Sequence, residues 1–65
     1  MINEALLNIM KNNQGINYIV NKIIEADKND DSETYITLVE SLNRQLKDYS
    51  KEDIFDTISA IKTIE

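Results

Sequence analysis

The chain has 65 residues, a formal net charge of −5 and a pI near 4.5, and it contains no Cys, no His and no Pro. These absences exclude a disulfide, a zinc site of the usual Cys/His kind and a Cys or His catalytic group. Twelve acidic against seven basic residues leave no basic stripe for phosphates, so no direct nucleic-acid binding is expected and an anionic membrane surface would repel the protein.

Residues 1–65 read as one helical domain. A domain of this size buries only about 60% of the surface its unfolded chain exposes. One core at this length rarely supplies more than roughly 3–5 kcal/mol. Close helix packing or association with another chain must provide the remaining stability. The composition, 42% hydrophobic and 29% charged, is that of a globular chain. No apolar run approaches the roughly 18–20 residues of a membrane span. The first ten residues carry Glu4 and lack the basic start of a signal peptide. The expected compartment is the cytoplasm. Eleven Ile, eight Asn and six Lys are the codon signature of an AT-rich genome, such as that of a low-GC bacterium or its mobile elements.

Four helices are expected, at about 3–12, 16–28, 32–49 and 51–64, joined by short polar segments into an all-α, compact antiparallel bundle. In the first, Ile2, Ala5, Leu6, Ile9 and Met10 share one face, with Asn3 as the cap and Glu4 at the positive end of the dipole. Asn12 to Gly15 end it, and Gly15 suits the left-handed position that closes a helix. In the second, Ile16, Ile19, Val20, Ile23 and Ile24 repeat at i, i+3, i+4, i+7 and i+8. Asp27 to Asp31 form a polar joint. In the third, capped by Asp31 or Ser32, Tyr35, Val39, Leu42, Leu46 and Tyr49 form a heptad seam. Ser50-Lys51-Glu52-Asp53 then resembles a capping box, with Tyr49 and Ile54 placed as a hydrophobic staple. Ile54, Ile58, Ile61 and Ile64 mark the buried face of the fourth helix. Leu42, Leu46 and Ile58 are expected among the most buried residues.

Nothing in this pattern carries chemistry. One glycine cannot build a phosphate loop, no Ser lies in a G-x-S-x-G setting, and no cofactor is implied. An enzyme is not expected. The acidic joint is an imperfect calcium loop. Counted from Asp27, it places Ser32 at the sixth position and Leu38 at the twelfth, where Gly and Glu belong. Counted from Asn29, it gains Ile36 and Glu40 at positions eight and twelve but has Asn at the first and Thr34 at the sixth. The joint reads as a solvated turn whose acids favour the next helix start.

Four apolar residues fall outside the buried stripes. Leu7, Ile36 and Phe55 lie roughly 100° from Leu6, Tyr35 and Ile54, and Tyr18 points nearly opposite the Ile16–Ile23 face. They are either the flanks of a wide core or an exposed patch for another protein. Leu7, with Met10 beside it on the short first helix, is the expected open side. The function expected is that of a protein-interaction module, an inhibitor or regulator binding a larger protein or a second copy of itself through an apolar helix face. The alternative is an acidic mimic of nucleic acid that blocks a basic groove through Asp27, Asp30, Asp31 and Glu33, with Glu52, Asp53 and Asp56 as an extension. Salt would weaken the second mode far more than the first.

Overall fold

The computed structural model describes residues 3–64, and these form four helices and no strand. They are α1 (Glu4–Asn12), α2 (Gln14–Lys28), α3 (Ser32–Gln45) and α4 (Lys51–Ile64). Each helix packs on the next in sequence. α4 also returns to α1 and α2, whereas α1 and α3 do not touch. The four helices therefore form a ring with α2 and α4 across its diagonal, within 28 × 25 × 23 Å. The expected bundle is present. Ile2 and the side chain of Ile64, expected on buried faces, lie outside the described residues.

Every helix starts in the same way: a side-chain oxygen accepts the backbone N–H three residues on. Asn3 Oδ1 accepts from Leu6 at 3.1 Å, Asn13 Oδ1 from Ile16 at 3.1 Å, Asp31 Oδ1 from Thr34 at 3.2 Å and Ser50 Oγ from Asp53 at 3.1 Å. Such a bond satisfies one of the N–H groups that a helix start leaves unpaired. The caps at Asn3, Asp31 and Ser50 agree with the sequence.

Asn13 departs from it. Its N–H closes α1 on the Ile9 carbonyl at 3.0 Å while its side chain opens α2. One residue is the whole joint, so α2 begins at Gln14 rather than 16. Gly15 is then a helical residue in the first turn of α2, not a left-handed terminator. The Asn17 amide donates to the Met10 carbonyl at 2.9 Å and fixes the corner.

The left-handed terminator lies in the next joint. Asp30 has φ 56°, the Asp31 N–H bonds to the Ala26 carbonyl at 2.9 Å, and the Asp30 N–H bonds to the Asp27 carbonyl at 3.2 Å. This 6→1 and 5→2 pair is a Schellman closure. Asp occupies the position where Gly is most common because its short polar side chain tolerates that conformation better than most.

α3 ends at Gln45 rather than 49. Leu46 leaves the helix (φ −109°, ψ 64°), the Asn43 amide donates to the Tyr49 carbonyl at 2.8 Å, and Ser50 starts α4. The seam thus runs helically through Tyr35, Val39 and Leu42 only. Leu46 and Tyr49 sit in the joint, half-buried against the core. Leu42 and Ile58 are fully buried as expected, but Leu46 is not, because leaving the helix turns it away from the seam. Thr57 is the buried polar residue of α4, and its hydroxyl is satisfied locally by the Asp53 carbonyl at 2.8 Å.

Two outcomes follow for stability, both read by thermal or urea denaturation. A Cβ added at Gly15 meets only Asn13 Oδ1, at 3.6 Å. Gly15→Ala therefore raises stability by about 0.4–1 kcal/mol, and a loss would show that this residue is not helical. Leu42→Ala costs roughly 2–5 kcal/mol, which unfolds much of so small a core. Leu46→Ala costs distinctly less, and equal losses at the two positions would contradict the end of α3 at Gln45.

Candidate interaction surface

Two contacts span the seam between α3 and α4, and a third ties α4 to the end of α2. The rings of Tyr35 and Phe55 stack with centroids 6.0 Å apart and planes 14° from parallel. The Lys51 ammonium and a Glu40 carboxylate oxygen lie 3.6 Å apart. Lys62 of α4 forms a hydrogen-bonded ion pair with Asp27 at the end of α2. Lys51, Phe55 and Lys62 are spaced i, i+4 and i+11, which places all three on one edge of α4. Both ion pairs are solvent-exposed and contribute little. The aromatic pair adds about 0.5–1.5 kcal/mol beyond its buried area.

The five apolar residues singled out in the sequence divide three ways. Met10 is fully buried, which corrects its placement on an open face. Leu6 and Met10 are one turn apart, and a helix of nine residues holds its place only by burying both. Leu7 and Phe55 are half-buried and pack against the core, Phe55 under Tyr35. Tyr18 and Ile36 are exposed, at 63% and 54%. Lys22, one turn along α2, sits 5.5 Å from the Tyr18 ring centroid in a cation–π contact.

Ile36 has the more instructive neighbourhood. Glu40 and Asn43 lie one and two turns further along the same ridge of α3, and they reach Lys51 at the start of α4 and Tyr49 in the joint before it. The ridge therefore borders α4, whose facing edge carries Phe55. Tyr35 and Phe55 form this seam, and Ile36, next to Tyr35 in sequence, stands exposed on the ridge beside it. Leu7 lies on α1, which does not touch α3, and Tyr18 lies on the outer side of α2. The acids around the seam are Glu33 and Glu40 on α3 and Glu52 and Asp56 on α4, all exposed.

The acidic joint is partly consumed by the fold. Asp27, Asp30, Asp31, Ser32 and Tyr35 line an open cleft of about 170 Å³. Within it, Asp27 pairs with Lys62. Hydrogen bonds from the Thr34 side chain and backbone hold the Asp31 carboxyl below its ordinary range. Glu33 points to solvent from the first turn of α3. The register counted from Asp27 runs from the last residues of α2 into α3 and the one counted from Asn29 runs from the joint into α3, so in both the positions from Ser32 onward climb a helix instead of wrapping one point.

The Tyr35–Phe55 stack and the Asp27–Lys62 pair were not legible in the sequence. Tyr35 stood in the seam and Phe55 among the surplus residues, and only the docking of α4 on α3 joins them. No protein-family model matches the chain, and none of the curated proteins or solved structures matches it either. Among the described residues, no helix is long and apolar enough to cross a membrane.

The seam makes the protein sensitive to alkali. Burial, and secondarily the charge of Asp27, push the Tyr35 hydroxyl above its ordinary value, against a smaller opposing effect of Lys62. The unfolded chain therefore releases this proton first as pH rises past about 10, and stability falls. The Asp27 hydrogen bond raises Lys62. Its contribution is fully present below the unfolded lysine value and is lost as pH climbs through the folded one, which is the same direction. Tyr35→Phe keeps the stack and removes the phenol, so a denaturation midpoint followed from pH 8 to about 11 declines less steeply than in wild type. Equal declines would remove Tyr35 as a cause.

Proposed function

We propose that this protein is a non-catalytic interaction module, an inhibitor or regulator that binds a larger protein through the apolar seam of α3 and α4. The observation that carries the reading is Ile36. It is a β-branched residue more than half exposed, on the ridge that borders the half-buried Phe55 and Tyr35. Scattered single surface hydrophobes need no explanation. One that extends an aromatic pair, with acids at its rim, has the make-up of an interface centre and its polar surround. This relocates the expected surface from Leu7 and Met10 on α1 to Ile36 and Phe55. One feature supports the non-catalytic half of the reading: the chain has no His or Cys for acid–base or nucleophilic work.

The acidic-mimic reading is weaker. Of its four carboxylates, Asp27 is neutralised by Lys62 and Asp31 is committed to capping α3, so the remaining charge is not a continuous strip.

The test is Ile36→Glu. An exposed position tolerates the charge, so the melting curve stays within about 0.5 kcal/mol of wild type. Bound in an apolar interface, the same unpaired carboxylate costs several kcal/mol. Capture from the source organism's lysate, repeated across a salt series, should recover a partner with wild type at low and high salt and not with the variant. Equal recovery by both proteins, with binding lost at high salt, would reject the seam in favour of the acidic surface.

A further inference from the structure

We infer that this chain exchanges α4 between two copies, by straightening the joint between α3 and α4 into one continuous helix. The joint Leu46-Lys47-Asp48-Tyr49-Ser50 contains neither Gly nor Pro. None of its residues has a positive φ; among the described residues that conformation occurs only at Asp30, in the joint before α3. Residues 46–50 are thus free to become helical, and the heptad seam from Tyr35 continues through Leu46 and Tyr49 as if they were. The local sequence favours a helix that the closed fold interrupts.

What interrupts it is a short list of contacts. The Asn43 amide holds the Tyr49 carbonyl at 2.8 Å, Tyr49 N–H reaches the Leu46 carbonyl at 3.1 Å, and Ser50 Oγ caps α4 at 3.1 Å. The N–H groups of Lys47, Asp48 and Ser50 form no hydrogen bond with any described residue. In a continuous helix each would bond four residues back. Against this stands the docking of α4, which gives Ile54, Ile58 and Ile61 to the core. That burial is not lost on opening if a second copy supplies an identical α4. Exchange of an identical element reproduces the contacts of α4 with the other three helices and changes only the hinge, where Leu46 and Tyr49 are half-buried against the core. The tethered α4 competes with an effective concentration on the millimolar scale, so the exchanged dimer forms at high protein concentration and does not displace the monomer at low.

This exchange is independent of the Ile36 surface, which it leaves on each rebuilt bundle. Ile36→Glu removes partner binding without altering exchange, so the two ideas fail separately.

Three variants and a cross-link test it. Lys51→Pro places proline at the first position of α4, where the closed form accepts it. In a continuous helix it removes a hydrogen bond and clashes with the carbonyl of Lys47, weakening dimerisation by on the order of a hundredfold or more. Insertion of three glycines between Lys47 and Asp48 lengthens an exposed joint and breaks helical continuity by a separate route. Ser50→Ala removes the cap of the closed form and raises the dimer fraction by about tenfold in association constant. The readout is light scattering on the full chain from about 10 µM to about 2 mM, a range that brackets the tether's effective concentration. The chain has no Cys, so a Glu40→Cys, Lys51→Cys pair joined by a short bismaleimide reports the exchange, because in a continuous helix the two positions of one chain stand about 16 Å apart, beyond its reach. The closed monomer links within one chain, and the exchanged dimer links two chains on a denaturing gel. The expected result is a concentration-dependent dimer with interchain links, absent in Lys51→Pro and in the glycine insertion and enhanced in Ser50→Ala. A wild type that stays monomeric throughout overturns the inference. So does a dimer that carries only intrachain links, or one that survives the glycine insertion.

Discussion

The packing of α2 and α4 onto all of their neighbours is the constraint on which this fold depends. These two helices alone touch all three others. Val20 and Ile23 of α2 and Ile54 and Ile58 of α4 are fully buried. Each such side chain gains about 1.5–3 kcal/mol from leaving water. No disulfide reinforces them, since the chain has no Cys. α1 and α3 are placed by this pair of helices: each contributes a two-residue anchor, Leu6 and Met10 or Val39 and Leu42. α1 is too short to persist as a helix alone and exists as such because α2 and α4 bury that anchor.

The core was legible in the sequence where the helical period is complete, and the boundaries where a cap residue stands at the correct distance from an apolar run. α2 meets the first condition, and its buried face is the expected one apart from Ile19, which is half-buried at the flank, whereas its start lies two residues before the expected one. Asn3, Asp31 and Ser50 were recognisable as caps because a helix start requires a side-chain acceptor and few residue types provide one. Terminations were less legible. A left-handed closure needs only a residue that tolerates positive φ, and Gly15 was the obvious candidate. A single-residue joint at Asn13 made it unnecessary there, while Asp30 took the role in the next turn. The end of α3 was illegible for a different reason: no Gly, Pro or positive φ marks it, and the Asn43–Tyr49 hydrogen bond and the Ser50 cap interrupt a seam whose apolar spacing runs on through Leu46 and Tyr49.

The candidate surface was half legible for a related reason. Helical phase identified Ile36 and Tyr18 as outward-facing, and both are exposed. The same phase placed Met10 at the margin of α1, yet a helix flanked by both α2 and α4 buries a wider arc than a two-helix contact would. Phase gives a direction but not the number of neighbours waiting there. Phe55 shows the converse. It lay outside the stripe of α4 and is half-covered, because Tyr35 of α3 reaches over to stack on it.

Small size links the remaining features. With so few buried residues, side chains at the α3–α4 seam are only partly covered, and the seam is finished by an aromatic pair and one exposed ion pair, with a second exposed pair tying α4 to α2, rather than by further aliphatic core. Exposed ion pairs add little and are screened by salt. α4 is therefore held on α3 mainly from its other face, through the isoleucines it turns toward α2 and the centre. The seam can then serve as a surface without the bundle depending on it, and it also leaves the hinge beside it lightly tied. An exposed residue such as Ile36 can change at little cost to the fold, whereas Ile58, three residues after Phe55 on the same helix and fully buried, cannot.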